Sequence, residues 1–277
     1  MEQAKVCFAP MPVVAQFVSS ILGRVANTDC ERGRVTSVFL ALLTRRHPPF
    51  VLYRERPQTP MLAPDLGRQA MAIIIEGGRA EPCGDPTLRG MFEDRKSVFV
   101  DLLKWDVPVL DGRLELDEFD DTRATYLIIA DSEGDHLGSA RLLPTTRRHI
   151  LGDLFAELCS APAPRGPEIL EITRFCLSRR QNAASRRLTR NRLVSALAWH
   201  ALENGIRTYT GVAELAWLQQ ILAFGWDCRP LGVPKYLECG MIGALAIEIR
   251  PDTPELLAAN GIWDLADAPA VRIPEAA

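Results

Sequence analysis

Two apolar stretches carry charges that a sheet cannot bury unless each finds a partner. Gly138-Ser139-Ala140-Arg141-Leu142-Leu143-Pro144-Thr145 sets an arginine inside an otherwise apolar strand. Ile169 to Leu177 reads ILEITRFCL and holds both Glu171 and Arg174. A charge in a buried strand is expensive to desolvate and persists only when paired. Three such charges in two strands therefore point to a polar cleft lined by sheet.

A candidate source of partners lies upstream, in Met91 to Asp121. Met91, Phe92, Val98, Phe99, Leu102 and Leu103 recur at three- and four-residue spacing, which predicts a helix over about 87–104. Arg95, Phe99 and Leu102 would then share one face. The helix must stop before Trp105-Asp106-Val107-Pro108, because the residue before a proline avoids helical geometry. Five acids then fall within seven residues: Glu115, Asp117, Glu118, Asp120 and Asp121. Alone, this segment reads as an amphipathic helix with a solvated acidic turn. Beside the two charged strands, it offers carboxylates for buried arginines and an enclosure for a small cationic ligand.

The chain has 277 residues, enough for a substantial core in one or two domains. A net charge of -3 argues against a chain-wide nucleic-acid binder. The seven cysteines are scattered without a Cys-x-x-Cys, which fits reduced cytoplasmic thiols better than a disulfide framework or a zinc site. The histidines, His47, His136, His149 and His200, show no metal-ligand spacing. No apolar run reaches membrane-spanning length. Pro10 and Pro12 interrupt the apolar Phe8–Leu22 stretch, which reads against a cleaved signal.

Residues 1–70 differ from the rest. Met11–Val25 has a helical pattern, but 45–64 contains Pro48, Pro49, Pro57, Pro60 and Pro64 without a clear period. The segment reads as an appendage, poorly structured or added by an over-long gene model, before a domain spanning 71–277. From there the pattern predicts a strand at 71–76 followed by a turn at Gly77-Gly78. After the helix and acidic loop come strands at 124–130 and 136–143, forming a hairpin. A short helix over 150–158 and a strand over 169–177 follow. A long helix runs over 185–204, with Ser185 as a candidate cap and Asn204-Gly205 as its stop. Then come a strand at 206–212, a helix over 214–224 ended by Gly225, one or two strands within 236–250, and a helix over 253–259. Alternating strands and helices around a hairpin make an α/β sandwich on a mixed sheet.

The ordered set Arg95, Phe99, Trp105, then Glu115-x-Asp117-x-x-Asp120, then Arg141-Leu-Leu-Pro-Thr, then Glu171-x-x-Arg174-Phe175 resembles the signature of the LuxI-type acyl-homoserine-lactone synthases. The match runs from about Met71 into the C-terminal region. It implies a GNAT-like three-layer sandwich with a central mixed, mostly antiparallel sheet. It also implies a cytoplasmic acyltransferase that serves quorum sensing. In that reaction the amine of S-adenosyl-L-methionine attacks the thioester of an acyl-carrier protein, or less often acyl-CoA. The methionine moiety then closes to the lactone and expels methylthioadenosine, with no prosthetic group and no metal.

By this resemblance Arg95, Phe99, Trp105, Arg141 and Arg174 would form the S-adenosylmethionine pocket, and Asp117 and Asp120 would organise it with the arginines. The aromatic faces suit a cation. The attacking amine must lose a proton, and Glu171, held on a strand, is the candidate acceptor. The plainer readings are an internal salt bridge of Glu171 with Arg174 or Arg141, core packing for Trp105, and an exposed acid for Glu115.

Residues 165–192 hold eight arginines and two acids. Arg179, Arg180, Arg186 and Arg187 are candidates for docking an acidic carrier protein, and the helix start near Ser185 for its phosphopantetheine phosphate. The plainer reading is a solvated face. Without interleaved aromatics it fits nucleic acid poorly. Apolar residues of 169–177, 206–212 and 217–224 would line the acyl cleft or simply pack the core. Gly211-Val212-Ala213 lies where many relatives that choose 3-oxo chains carry threonine, which speaks against that preference. Two other functions share the fold: an acetyltransferase using acetyl-CoA, which has no need of the Arg95/Asp117/Asp120 set, and a catalytically inactive binding module.

Overall fold

The computed structural model describes residues 70–76, 85–237, 240–265 and 269–272. The appendage expected before Met71 and the turn expected at Gly77-Gly78 lie outside them.

Strand β1 (Met71–Glu76) carries three buried isoleucines, 73–75. Helix α1 (Pro86–Arg95) starts with proline at its first position, and Asp85 caps it by accepting from the Thr87 and Leu88 amides at 2.8 and 3.3 Å. The helix then continues as a π-helical segment, Lys96–Leu102. That wider turn corrects the expected α-helical face: Phe99 stays buried, but Leu102 is rotated out to 42% exposure. Two short strands, β2 (Val109–Leu110) and β3 (Leu114–Glu115), pair in the loop that follows. Strands β4 (Thr125–Ala130) and β5 (His136–Pro144) form the expected hairpin.

Helix α2 (Ile150–Leu154) is shorter than expected, because Phe155 leaves helical geometry before a 3₁₀ turn at Ala156–Leu158. Strand β6 (Ile169–Leu177) matches its predicted bounds. Helix α3 (Ala183–Glu203) begins earlier than expected; its cap is Asn182, whose side chain accepts from the Ser185 amide at 3.0 Å, so Ser185 is inside the helix. Strand β7 (Thr208–Glu214) leads into helix α4 (Leu215–Leu222). Gly225 then turns the chain with φ +100°, and a Cβ there would lie 2.0 Å from the Asn260 side chain. Strands β8 (Asp227–Pro230), β9 (Lys235–Leu237) and β10 (Gly240–Glu248), helix α5 (Thr253–Ala259) and strand β11 (Ala270–Arg272) complete the described chain.

The main sheet runs β11-β1-β4-β5-β6-β7-β10-β8, with β9 also on β10. β1–β11 and β6–β7 are parallel and the remaining pairs antiparallel. One face packs Ile74, Leu127, Ile129 and Leu142 against α3, α4 and α5. The other packs Ile73, Ile75, Tyr126 and Ile128 against α1, while α2 covers Ile242 and Ala244. The result is the GNAT-like three-layer sandwich on a mixed, mostly antiparallel sheet. Two irregularities in β6 position the site. β6 pairs with β7 only from Ile169 to Ile172, against Thr208 to Gly211, so the sheet opens beyond that point. Against β5 the register slips between Ser139 and Arg141, and Arg174 takes φ 48°. This bulge turns Arg174 toward the face of Thr173 and Arg141 instead of the opposite one.

Candidate active site

Three guanidiniums and three carboxylates meet on the α1 face of the sheet. Arg95 Nε donates to Glu115 Oε2 at 2.6 Å, and its two terminal nitrogens to Asp120 at 2.8 and 2.9 Å. Arg141 forks onto Asp117 at 2.5 and 3.0 Å, reaches Asp120 at 2.9 Å, and donates Nε to Thr173 Oγ1 at 3.0 Å. Arg174 Nη2 bridges Asp117 at 2.7 Å and Glu115 at 3.0 Å. The loop supports this ring with its own backbone: the Asp117 amide donates to Asp120, and the Phe119 amide to Asp117. Tyr126 donates its hydroxyl to Asp120 Oδ1 at 2.8 Å.

The ring is formally neutral, so partners held at hydrogen-bond distance offset the desolvation of each charge. Burial pushes Asp120 upward, but Arg141 and Arg95 outweigh it and hold the carboxyl well below its ordinary range. Asp117 and Glu115 are likewise lowered, against their burial, by Arg141 with Arg174 and by Arg95 with Arg174. All three acids are thus anions at neutral pH.

Glu171 stands apart from this ring. It forms no ion pair with Arg141 or Arg174; its oxygens accept from the Ile150 and Leu151 amides at 2.7 and 2.8 Å. The plainer reading of an internal salt bridge therefore gives way to two backbone donors at the start of α2. Burial pushes the carboxyl up to about 7, against those two bonds and the more distant Arg141. Each oxygen keeps a second lone pair, so a proton or a water still has an acceptor. Glu171 pairs with Thr210 in the last stretch before β6 and β7 separate. The Thr210 hydroxyl, on the same face, is buried without a hydrogen-bond partner.

Phe99 and Trp105 stack at 4.5 Å, with the Arg174 guanidinium 5.5 and 5.6 Å from their ring centres. Trp105 is half-buried, at the edge of the cluster and outside the central core. All eight motif positions from Arg95 to Arg174 other than Glu171 thus lie in one connected group. Glu115, least favoured from sequence, is fully buried and joins Arg95 to Arg174. Sequence reading missed Tyr126 and Thr173; their only signal was a polar atom inside an apolar strand.

The arginine-rich stretch divides. Arg186 and Arg187 are exposed at the start of α3. Arg180 donates to Asp94 of α1 and Arg179 to the Ser97 carbonyl of the π-helical segment that continues it. The apolar residues expected along an acyl cleft, Ile172, Phe175 and Trp217, pack with the α3-side core. A surface hollow of about 590 Å³ lies elsewhere, among Glu168, Arg207, Glu248 and Arg250, and includes none of the site residues. Among the described residues no His/Cys/Asp/Glu group is placed to hold a metal, and no helix is long and apolar enough to cross a membrane.

The family described as Autoinducer synthase matches residues 84–249. An acyl-homoserine-lactone synthase of Ralstonia nicotianae is 32% identical over 187 residues, covering 65% of this chain and 90% of the relative. One from Aliivibrio fischeri is 34% identical over 168 residues, covering 58% and 85%. Among solved structures, the CoA-dependent acyl-homoserine lactone synthase BjaI with MTA superposes with TM-score 0.64 at 25% identity, over 74% of this chain and 94% of that one. A further BjaI structure contains SAM and isopentyl-CoA. The synthase LasI superposes with TM-score 0.60 at 28% identity, over 73% and 99%. The chain belongs to the autoinducer synthase family. It is an acyltransferase of the acyl-homoserine-lactone synthase class.

Proposed function

We propose that the chain joins S-adenosyl-L-methionine to an acyl-[acyl-carrier protein], giving N-acyl-L-homoserine lactone, methylthioadenosine and holo-carrier protein. The observation that carries this reading is the contrast between one isolated carboxyl and its neighbours. The three acids of the arginine ring are locked as anions, while Glu171, where the sheet opens, titrates near 7. A base poised near neutral pH suits removal of a proton from an attacking amine. Glu171 is fully buried, and it takes the proton directly or through a water. The Asp117/Asp120/Arg95/Arg141 ring holds the pocket's shape, Arg174 anchors its base, and Phe99 and Trp105 lie over the sulfonium-bearing substrate. Carriage of SAM by BjaI supports this placement by likeness.

The exposed Arg186 and Arg187 favour an acidic carrier protein as donor, while the CoA dependence of BjaI favours acyl-CoA. One experiment separates these donors and both other functions. Purified protein is supplied with S-adenosylmethionine and, in parallel, acyl-carrier protein, acyl-CoA or acetyl-CoA with amine acceptors, and the products are read by mass spectrometry. Lactone from the carrier donor at higher kcat/KM than from acyl-CoA is the expected outcome. Lactone from acyl-CoA alone overturns the donor assignment, and acetylated amine or no product overturns the reaction.

A further inference from the structure

Outside the arginine ring, a second buried polar chain runs from the surface to α1. His136, the first residue of β5, is buried; its Nδ1 lies 2.7 Å from Asp94 Oδ2 and its Nε2 3.0 Å from Ser139 Oγ. The Nδ1–H donates to the carboxylate, and Nε2 accepts the Ser139 hydroxyl proton, so the neutral ring is fully satisfied. Ser139 is buried too, which removes it as a nucleophile despite the Asp-His-Ser order. The chain ends on Arg180, whose Nη2 donates to Asp94 Oδ2 at 3.1 Å and to the His136 carbonyl at 3.0 Å. The Arg180 side chain is 60% exposed whereas that of Asp94 is 8% exposed. A surface guanidinium thus caps a buried carboxylate one residue before Arg95. Arg179 makes a second contact just beyond α1, at Ser97, the second residue of the π-helical segment.

We infer that Arg180 is a positioning residue: it clamps Asp94, and with it the end of α1 that presents Arg95 and Phe99, and an anionic acyl donor docking on the arginine-rich face loosens that clamp. Arg180 therefore couples the two substrate sites, while Arg186 and Arg187 dock the donor without such a link. The inference takes only the anionic donor from the proposed reaction. The coupling is physical because Arg180 cannot hold both a donor carboxylate or phosphate and Asp94 in full. The charged groups around His136 are Asp94 and Arg95 from α1 and Arg180 from the segment after β6; Cys176 of β6 lies opposite Ser139. Burial lowers the His136 pKa, Asp94 raises it, and Arg180 lowers it again. Loss of Arg180 from Asp94 consequently favours uptake of a solvent proton by His136.

The test compares full-length wild type with Arg180→Gln, Arg180→Lys and Arg186→Gln/Arg187→Gln. In the substrate-free protein the His136 ring is titrated by NMR. In the assay KM is measured for S-adenosylmethionine and for the donor in turn. Arg180→Gln is expected to move the His136 midpoint upward and to raise KM for S-adenosylmethionine about fivefold or more, with Arg180→Lys restoring both in part. The double variant at 186 and 187 is expected to raise donor KM alone. An unmoved His136 midpoint in Arg180→Gln, or a rise confined to donor KM, overturns the inference. The titration reads the clamp even if no lactone forms, so failure of the proposed reaction is seen separately.

Discussion

Replacing Glu171 by glutamine keeps the side chain's size and removes its basicity. Loss of a positioned general base lowers rate about 10²–10⁴-fold, so kcat should fall by that range while KM for S-adenosylmethionine changes little. In wild type, log kcat/KM should rise with pH and level off through about 7, as Glu171 releases its proton. The same burial has a consequence for stability. Between the ordinary 4.5 and the native value of about 7 the folded protein holds a proton that the unfolded chain has lost. Stability attributable to Glu171 is therefore present below 4.5 and declines as pH rises toward 7, by about 3 kcal/mol at pH 8. Glutamine cannot ionise, so this decline is absent from the variant. Its amide can accept only one of the two N–H bonds from Ile150 and Leu151, and the lost bond costs about 1–2 kcal/mol at every pH. Urea unfolding from pH 4 to 8 should thus start with the variant less stable, and the difference should move in its favour by about 3 kcal/mol. Glu115, Asp117 and Asp120 shift stability in the opposite sense as pH falls, but equally in both proteins. Wild-type turnover by the folded variant refutes the role of Glu171 as base. A stability difference that ignores pH refutes the raised pKa.

Tyr126→Phe removes the hydroxyl donor to Asp120; it should destabilise by about 1–2 kcal/mol in urea unfolding and raise KM for S-adenosylmethionine more than for the donor. Reversing Arg186 and Arg187 to glutamate should raise KM for a carrier-protein donor, with the effect shrinking as salt rises; steady-state kinetics at two ionic strengths decides it. A chain starting at Met71 should form lactone at the full-length rate, whereas one starting at Asp85 loses β1 with its three buried isoleucines and should fail to fold, as read by circular dichroism.

The sequence by itself determined the order of the main local elements and the residue types of the site. The apolar run of β6 set its bounds, because burial acts over a few residues, and the helix read over 253–259 has the bounds of α5. The cost of burying Arg141 and Arg174 required carboxylates, and the acidic loop was the available supply. Which acid meets which arginine was decided only by tertiary structure. Glu115 and Arg174 are 59 residues apart, and they meet because a bulge in β6 turns Arg174 to the α1 side. Nothing local distinguishes Glu115 from the exposed Glu118, or predicts that Arg180 is drawn onto Asp94 while Arg186 points outward. Glu171 makes the same point: sequence left a proton acceptor and an internal salt bridge both open, and packing of α2 supplied two amides where the salt bridge would have been. Pairing of this kind depends on register and helix placement, which arise from the summed packing of the whole sheet and leave no trace in the spacing of neighbouring residues.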